Sequence, residues 1–240
     1  METINKVIKT FTFLDESGAL VPIEKQHRKY FGIGILKHTQ TVDLISKLHP
    51  IYETLCSELK KDKTQIEFSF KRTTSKSIKY DIKFLETLEK DFNWEFNCLY
   101  FNTEDKLYQK PNNAVEKWER YVSYSKLLIR KNLWSKEETV LIADYLRKPT
   151  VSLKKFEYIV SDIDQVYNAI QLESHGVLLT QAADLLLGGY LYSLDKEAGD
   201  KEGNKTLISE KVLQIKEKVG KKKFNCWEMN WSRNSRAEGV

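Results

Sequence analysis

The chain is poor in the residues that break or staple a backbone. Ten glycines and four prolines in 240 residues make about 6%, about half of the roughly 12% in average usage. So small a supply excludes a collagen-like segment, a long flexible linker and a hinge-rich multidomain chain. The three cysteines, Cys56, Cys98 and Cys226, are odd in number, far apart in sequence and without a C-x-x-C pair. Neither a disulfide framework nor a thiolate zinc site is expected. Residues Met1 to Lys6 hold no apolar run of the signal-peptide kind. Only 177–194 approaches a membrane-spanning length, and it carries Gln181 and Asp184, so it reads as a buried helix. With no membrane partner and reduced thiols, a cytoplasmic location is the expectation.

What is present describes a folded chain. Hydrophobic residues make up 41% and aromatics 12%, too much for disorder. The length fits one large or two small domains; the scarcity of linker residues favours one domain over 1–240, with a basic aromatic tail from about 220 to 240. The net charge of +5 is too small to mark a nucleic-acid binder by itself. Its clustering says more. Lys71, Arg72, Lys76, Lys79 and Lys83 fall within 13 residues, and Lys221, Lys222 and Lys223 precede Phe224, Trp227 and Trp231. Such runs can contact phosphates while aromatics stack on bases. A solvated helix face and a sticky tail is the plainer reading of each cluster alone.

Periodicity divides the chain into alternating elements. Ile8–Leu14 reads as a strand that runs into a turn at Asp15-Glu16-Ser17-Gly18, and Lys29–Lys37 as a second strand, antiparallel to the first. Apolar spacing predicts helices over 40–61, with Pro50 bending or splitting it, and over 78–90. Ile66–Phe70 alternates as a short strand would. Strands are expected at Trp94–Phe101, Thr139–Ala143 and Ile170–Glu173, and helices at Ala114–Trp134, Phe156–Ala169, Val177–Leu194 and Lys205–Val219. The fold class is therefore α/β, a mixed sheet with helices on both faces.

The informative residues are acids. Asp15 and Asp144 each follow an apolar strand, where ligand crevices of α/β sheets open if the strands are parallel neighbours. The alternative for Asp15 is turn chemistry, with Gly18 supplying positive φ, and Glu16 reads more readily as a turn residue than as a ligand. Asp184 is the one charged residue in an otherwise apolar helix; buried there, it needs a metal ion, a cation or hydrogen-bond donors. Ala182, Ala183, Gly188 and Gly189 should let that helix approach the sheet closely. Glu67, four residues before Lys71, is a further candidate, with the polar side of an exposed strand as the alternative. Carboxylates without a histidine ligand pattern suit Mg²⁺ or Mn²⁺ rather than zinc. His27, His38, His49 and His175 show no metal spacing, and His175 reads as a surface histidine before it reads as a proton carrier. No G-x-S-x-G elbow, P-loop or G-x-G-x-x-G fingerprint is present.

Phe13-Leu14-Asp15-Glu16-Ser17-Gly18 and Gln181-Ala182-Ala183-Asp184-Leu185-Leu186-Leu187-Gly188 resemble the two signature motifs of the bacterial family called domain of unknown function 3800. The resemblance implies a ribonuclease H-like fold and a metal-dependent nuclease, found in phage-defence or mobile-element settings. It implies an acidic site with Asp15 and Asp184 from the motifs, Asp144 by its place after a strand, and Glu67 from the middle of the chain. Two divalent ions held by such acids activate water and stabilise a leaving oxygen. Lys71, Arg72 and Lys76 would then contact the phosphate backbone. The expected function is hydrolysis of phosphodiester bonds in DNA or RNA through a carboxylate-bound Mg²⁺ or Mn²⁺ site. The alternatives are a non-catalytic module that binds nucleic acid or a defence-system partner protein, and a structural protein whose acids form salt bridges. Aromatic surface in the tail permits a homodimer.

Overall fold

A computed structural model of the chain describes residues 7–20, 29–195 and 203–229. His27, Trp231 and the end of the expected tail lie outside the described residues. The elements follow in the order β1 (Ile8–Ser17), β2 (Tyr30–His38), α1 (Thr41–Leu59), α2 (Ile78–Glu89), β3 (Trp94–Asn102), α3 (Ala114–Asn132), β4 (Glu137–Asp144), α4 (Phe156–Val160), β5 (Val166–Leu172), α5 (Leu178–Asp195), α6 (Asn204–Val219) and β6 (Phe224–Glu228). The strands form one six-stranded sheet in the order β5-β4-β1-β2-β3-β6. β1, β2 and β3 pair antiparallel in turn, while β4 and β5 extend the other side of β1 in parallel. The fold is α/β, as expected, with a mixed sheet between two helical layers.

Alternation along each strand divides the core. Phe13, Leu36 and Phe96 face a cluster completed by α1, α2, α5 and α6. Leu14, Ile33, Leu99 and Leu141 face the opposite cluster with α3 and α4. Every residue of β2 after Tyr30 is buried, because both faces of this central strand are covered.

Several elements differ from the sequence reading. β1 does not stop at Leu14: it runs through Ser17, with Asp15 paired to Gly34 and Glu16 to Ile33, so the turn begins only at Gly18. There φ is +91°, and a Cβ would stand 2.3 Å from the Tyr30 carbonyl oxygen; only glycine fits. Pro50 neither splits nor ends α1. It sits on the exposed side of that helix, where water can take up the carbonyl it leaves unpaired. The helix expected over 156–169 is five residues long, and Val166–Leu172 pairs with β4 instead. Ile66–Phe70 alternates as expected but joins no strand. The start of the basic tail is also a sheet element: β6 pairs in parallel with β3, and Phe224 is fully buried. Phe224 is thus not available to stack on a base. The pairing sets Cys98 beside Cys226, so thiols 128 positions apart in sequence are neighbours, both free.

The glycines that bring α5 onto the sheet are in β2 and not in α5. A Cβ on Gly32 would stand 3.0 Å from Leu191 Cδ1 of α5, and one on Gly34 3.4 Å from Leu187 Cβ of α5 and 2.9 Å from the Phe96 ring of β3. Gly188 and Gly189 serve other contacts. A Cβ on Gly188 would lie 2.5 Å from Phe70 Cβ, and one on Gly189 2.8 Å from Val212 of α6. Gly188→Ala should therefore destabilise the protein by about 1–3 kcal/mol through overpacking against Phe70, although alanine is the better helix former. Urea denaturation checks this, since a gain in stability would mean that the 66–70 segment yields freely.

Candidate functional site

β1 and β4 are parallel neighbours in register, with Leu14 opposite Ala143. Asp15 and Asp144 are the next residues of the two strands, so the ladder carries both acids to one end of the sheet. Asp15 shares the face of Phe13 and Asp144 that of Ile142, the face on which α5 lies. Asp184 of α5 completes the group. These three acids, Glu67 and Lys71 line a single cleft of about 650 Å³.

Backbone amides hold each acid by one oxygen. Glu16 N donates to Asp15 Oδ1 at 2.7 Å. Tyr145 N and Ser174 N donate to Asp144 Oδ1 at 2.9 and 3.0 Å. Phe70 N donates to Asp184 Oδ2 at 2.9 Å. Glu67 is held by its side chain alone, accepting from the Ser174 hydroxyl at 2.9 Å and facing Arg72 at 3.0 Å. Ser174, in a 3₁₀ turn after β5, therefore ties Glu67 to Asp144. Gln181 adds a second tie: its carbonyl accepts from Phe68 N at 2.9 Å and its amide donates to the Ser174 carbonyl at 2.8 Å.

The electrostatics are those of crowded negative charge. Burial drives the Asp15 carboxyl well above the usual range, and Asp184, Glu16 and Asp144 push it further the same way. Burial, then Asp144 and Asp184, carry Glu16 up to about 7, with Lys117 pulling back. Asp144 is raised mainly by burial, against the lowering effect of the Tyr145 and Ser174 amides. On α2, Asp81 is raised to about 7 by burial, although the Ser77 hydroxyl donates to it at 3.2 Å.

Of the residues expected from sequence, Asp15, Glu67, Asp144, Asp184 and Lys71 meet in the cleft. Arg72 is engaged with Glu67. Lys76 is outside the cleft, in an adjoining groove of about 560 Å³ that shares Glu67 and Ser69 with it. His175 follows Ser174 in the turn but does not line the cleft. Glu16 is a strand residue, contrary to its reading as a turn residue. Sequence reasoning missed Ser174, whose role depends on a turn that folds back onto Glu67. It also missed the bridging role of Gln181, and Lys205, which lines the cleft from α6.

Carboxylate oxygens gathered in one cleft, with Asp15 buried among the others, are the ligand chemistry of Mg²⁺ or Mn²⁺, and in that respect the residues fit. Among the described residues, no three Asp, Glu, His or Cys side chains already form a group that could hold a metal ion. Neither protein-family models nor curated proteins give a match to this chain. No helix among the described residues is long and apolar enough to cross a membrane.

The shifts fix a pH dependence. Glu16 and Asp81 have folded-state values near 7 against unfolded values of 4.5 and 3.8, so the folded state binds more protons between those limits. Stability is then greatest below about pH 3.8 for Asp81 and below about pH 4.5 for Glu16, and is lost as pH rises through 7. Thermal melts in chelator should show the melting temperature falling from pH 5 to pH 8. A flat or rising profile would contradict the burial of these two carboxyls.

Proposed function

We propose that the protein is a divalent-metal-dependent phosphodiesterase acting on nucleic acid, a nuclease of the ribonuclease H-like kind. The observation that carries this reading is the meeting of Asp15, Asp144 and Asp184 at one end of parallel strands, in a cleft lined also by Glu67 and Lys71. Antiparallel β1 to β3 followed by parallel β4 and β5 support the fold reading. β6, beyond β3, departs from that fold's sheet order. The motifs around Asp15 and Asp184 support membership of domain of unknown function 3800, with phage defence as its setting.

In this reading Asp15, Asp144 and Asp184 would hold Mg²⁺ or Mn²⁺, with Glu67 completing the set. A bound divalent ion supplies an activated water and neutralises charge on the phosphate. The amides of Glu16, Tyr145, Ser174 and Phe70 fix the carboxylates beforehand, so little reorganisation is needed when substrate arrives. Ser174 and Arg72 orient Glu67 toward the cleft. Lys71 faces a phosphate within the cleft, and Arg72 and Lys76 extend the cationic track into the adjoining groove.

Titration of Mn²⁺ against thermal stability tests this without choosing a substrate. Saturation at about a hundredfold excess over Kd should raise the melting temperature by about 5–10 °C. Asp184→Asn, whose amide oxygen can still accept from Phe70 N, should fold yet lose both this shift and cleavage. Full cleavage by the folded variant would refute the assignment. The cations Arg72 and Lys76 along the adjoining groove favour one alternative, a module that grips nucleic acid or a defence partner without hydrolysis. Its signature is salt-sensitive binding that needs no divalent ion and survives Asp184→Asn.

A further inference from the structure

Behind the cleft, on the opposite face of β1, lies a second cavity of about 220 Å³. It is smaller than the roughly 300–1,000 Å³ of drug-sized sites, a size for one aromatic fragment. Phe31, Trp118 and Tyr121 supply apolar walls, and Lys117 and Arg147 contribute exposed cations. Strand alternation aims Asp15 toward α5 and Glu16 toward α3, so consecutive residues of β1 serve the two cavities. Glu16 lines both.

Two polar atoms here lack partners. Glu16 Oε2 and the Tyr121 hydroxyl are buried and make no hydrogen bond. Tyr121 is only 1% exposed, and the nearby Ser125 hydroxyl donates to the Tyr121 carbonyl at 2.8 Å. Buried polar groups without partners are costly unless a ligand satisfies them. A carboxylate acceptor beside a phenolic donor, between aromatic walls, matches the edge and faces of a nucleobase.

We propose that this pocket holds a single nucleobase of the strand whose phosphate occupies the cleft, and that it selects guanine. Guanine offers N1–H and N2–H₂ donors to Glu16 and O6 as acceptor to the Tyr121 hydroxyl, while Trp118 and Phe31 contact the ring. Lys117 and Arg147, at the pocket itself, meet the phosphate on the other side of that nucleotide from the cleft. The selection of a base within a strand rests on the phosphodiesterase reading; the pocket's affinity for the base does not.

The test is calorimetric titration of the full chain, in chelator, with each of the four nucleoside 5′-monophosphates. GMP should bind most tightly, and Glu16→Gln should weaken it about tenfold or more, the loss expected for a charge-assisted pair. Tyr121→Phe should weaken GMP without lowering the melting temperature, since it removes a buried hydroxyl that has no partner; a structural role would lower it. This second variant keeps the proposal testable if Glu16→Gln does not fold. No binding by the wild type, equal binding of all four nucleotides, or GMP binding unchanged in both pocket variants would overturn the proposal. So would a Glu16→Gln variant that loses Mn²⁺ stabilisation but keeps GMP binding, since Glu16 would then belong to the metal site. GMP binding without any Mn²⁺ effect would leave the pocket standing and remove the phosphodiesterase reading.

Discussion

The amides of Phe68 and Phe70 belong to an extended segment that no strand pairs with, and α5 satisfies them with side chains instead. Gln181 and Asp184 are three residues apart on a helix, a rise of about 4.5 Å. The two amides are two residues apart on extended chain, about 6.6 Å. The spacings are close enough for two side chains to take the place of a neighbouring strand. Because alternate residues of the segment point inward, Ile66, Phe68 and Phe70 enter the core while Glu67 and Ser69 line the cleft. The placement of Glu67 thus depends on hydrogen bonds made by its neighbours' backbone.

This explains why so much of the site could be read from sequence and where the reading failed. The alternation of 66–70 is real, but the ladder it implied is absent, because periodicity reports which side of the chain is buried and not what pairs with it. Asp144 was legible because its strand ends there, and Asp15 because the apolar run of β1 ends there although the strand runs on to Ser17; parallel pairing brings the two together. Glu16 was misjudged because Asp-Glu-Ser-Gly is equally good as a turn or as the end of a strand; pairing with Ile33 decides it. Ser174 and Lys205 carry no local signal, since their places depend on how a turn and a helix dock across the sheet. The 156–169 segment went wrong for a related reason: β4 recruits Val166–Leu172 as a parallel partner, and tertiary pairing overrides helical spacing.

Charge divides between the two faces of one strand. On the α5 side, burial raises the proton affinity of Asp15, and Asp184 and Asp144 raise it further, a stress that a cation would relieve. On the α3 side, Glu16 feels the same field but is countered by Lys117. The modest net charge of +5 conceals this contrast. Basic residues such as Lys71, Lys76 and Lys83 stay at the surface, where ions screen them, whereas the acids sit where screening is weak.

The sheet order also carries a timetable. β1 can pair with β2 as soon as residue 38 has left the ribosome, but its other edge waits for β4, roughly a hundred residues later. Asp184 arrives later still, on a helix that must cover β1 and β2 before Phe68 and Phe70 find their acceptors. Contacts of such sequence separation form late and together. A nascent chain, lying beside ribosomal and messenger RNA, therefore carries Asp15 and Glu67 for most of its synthesis without an assembled acidic centre.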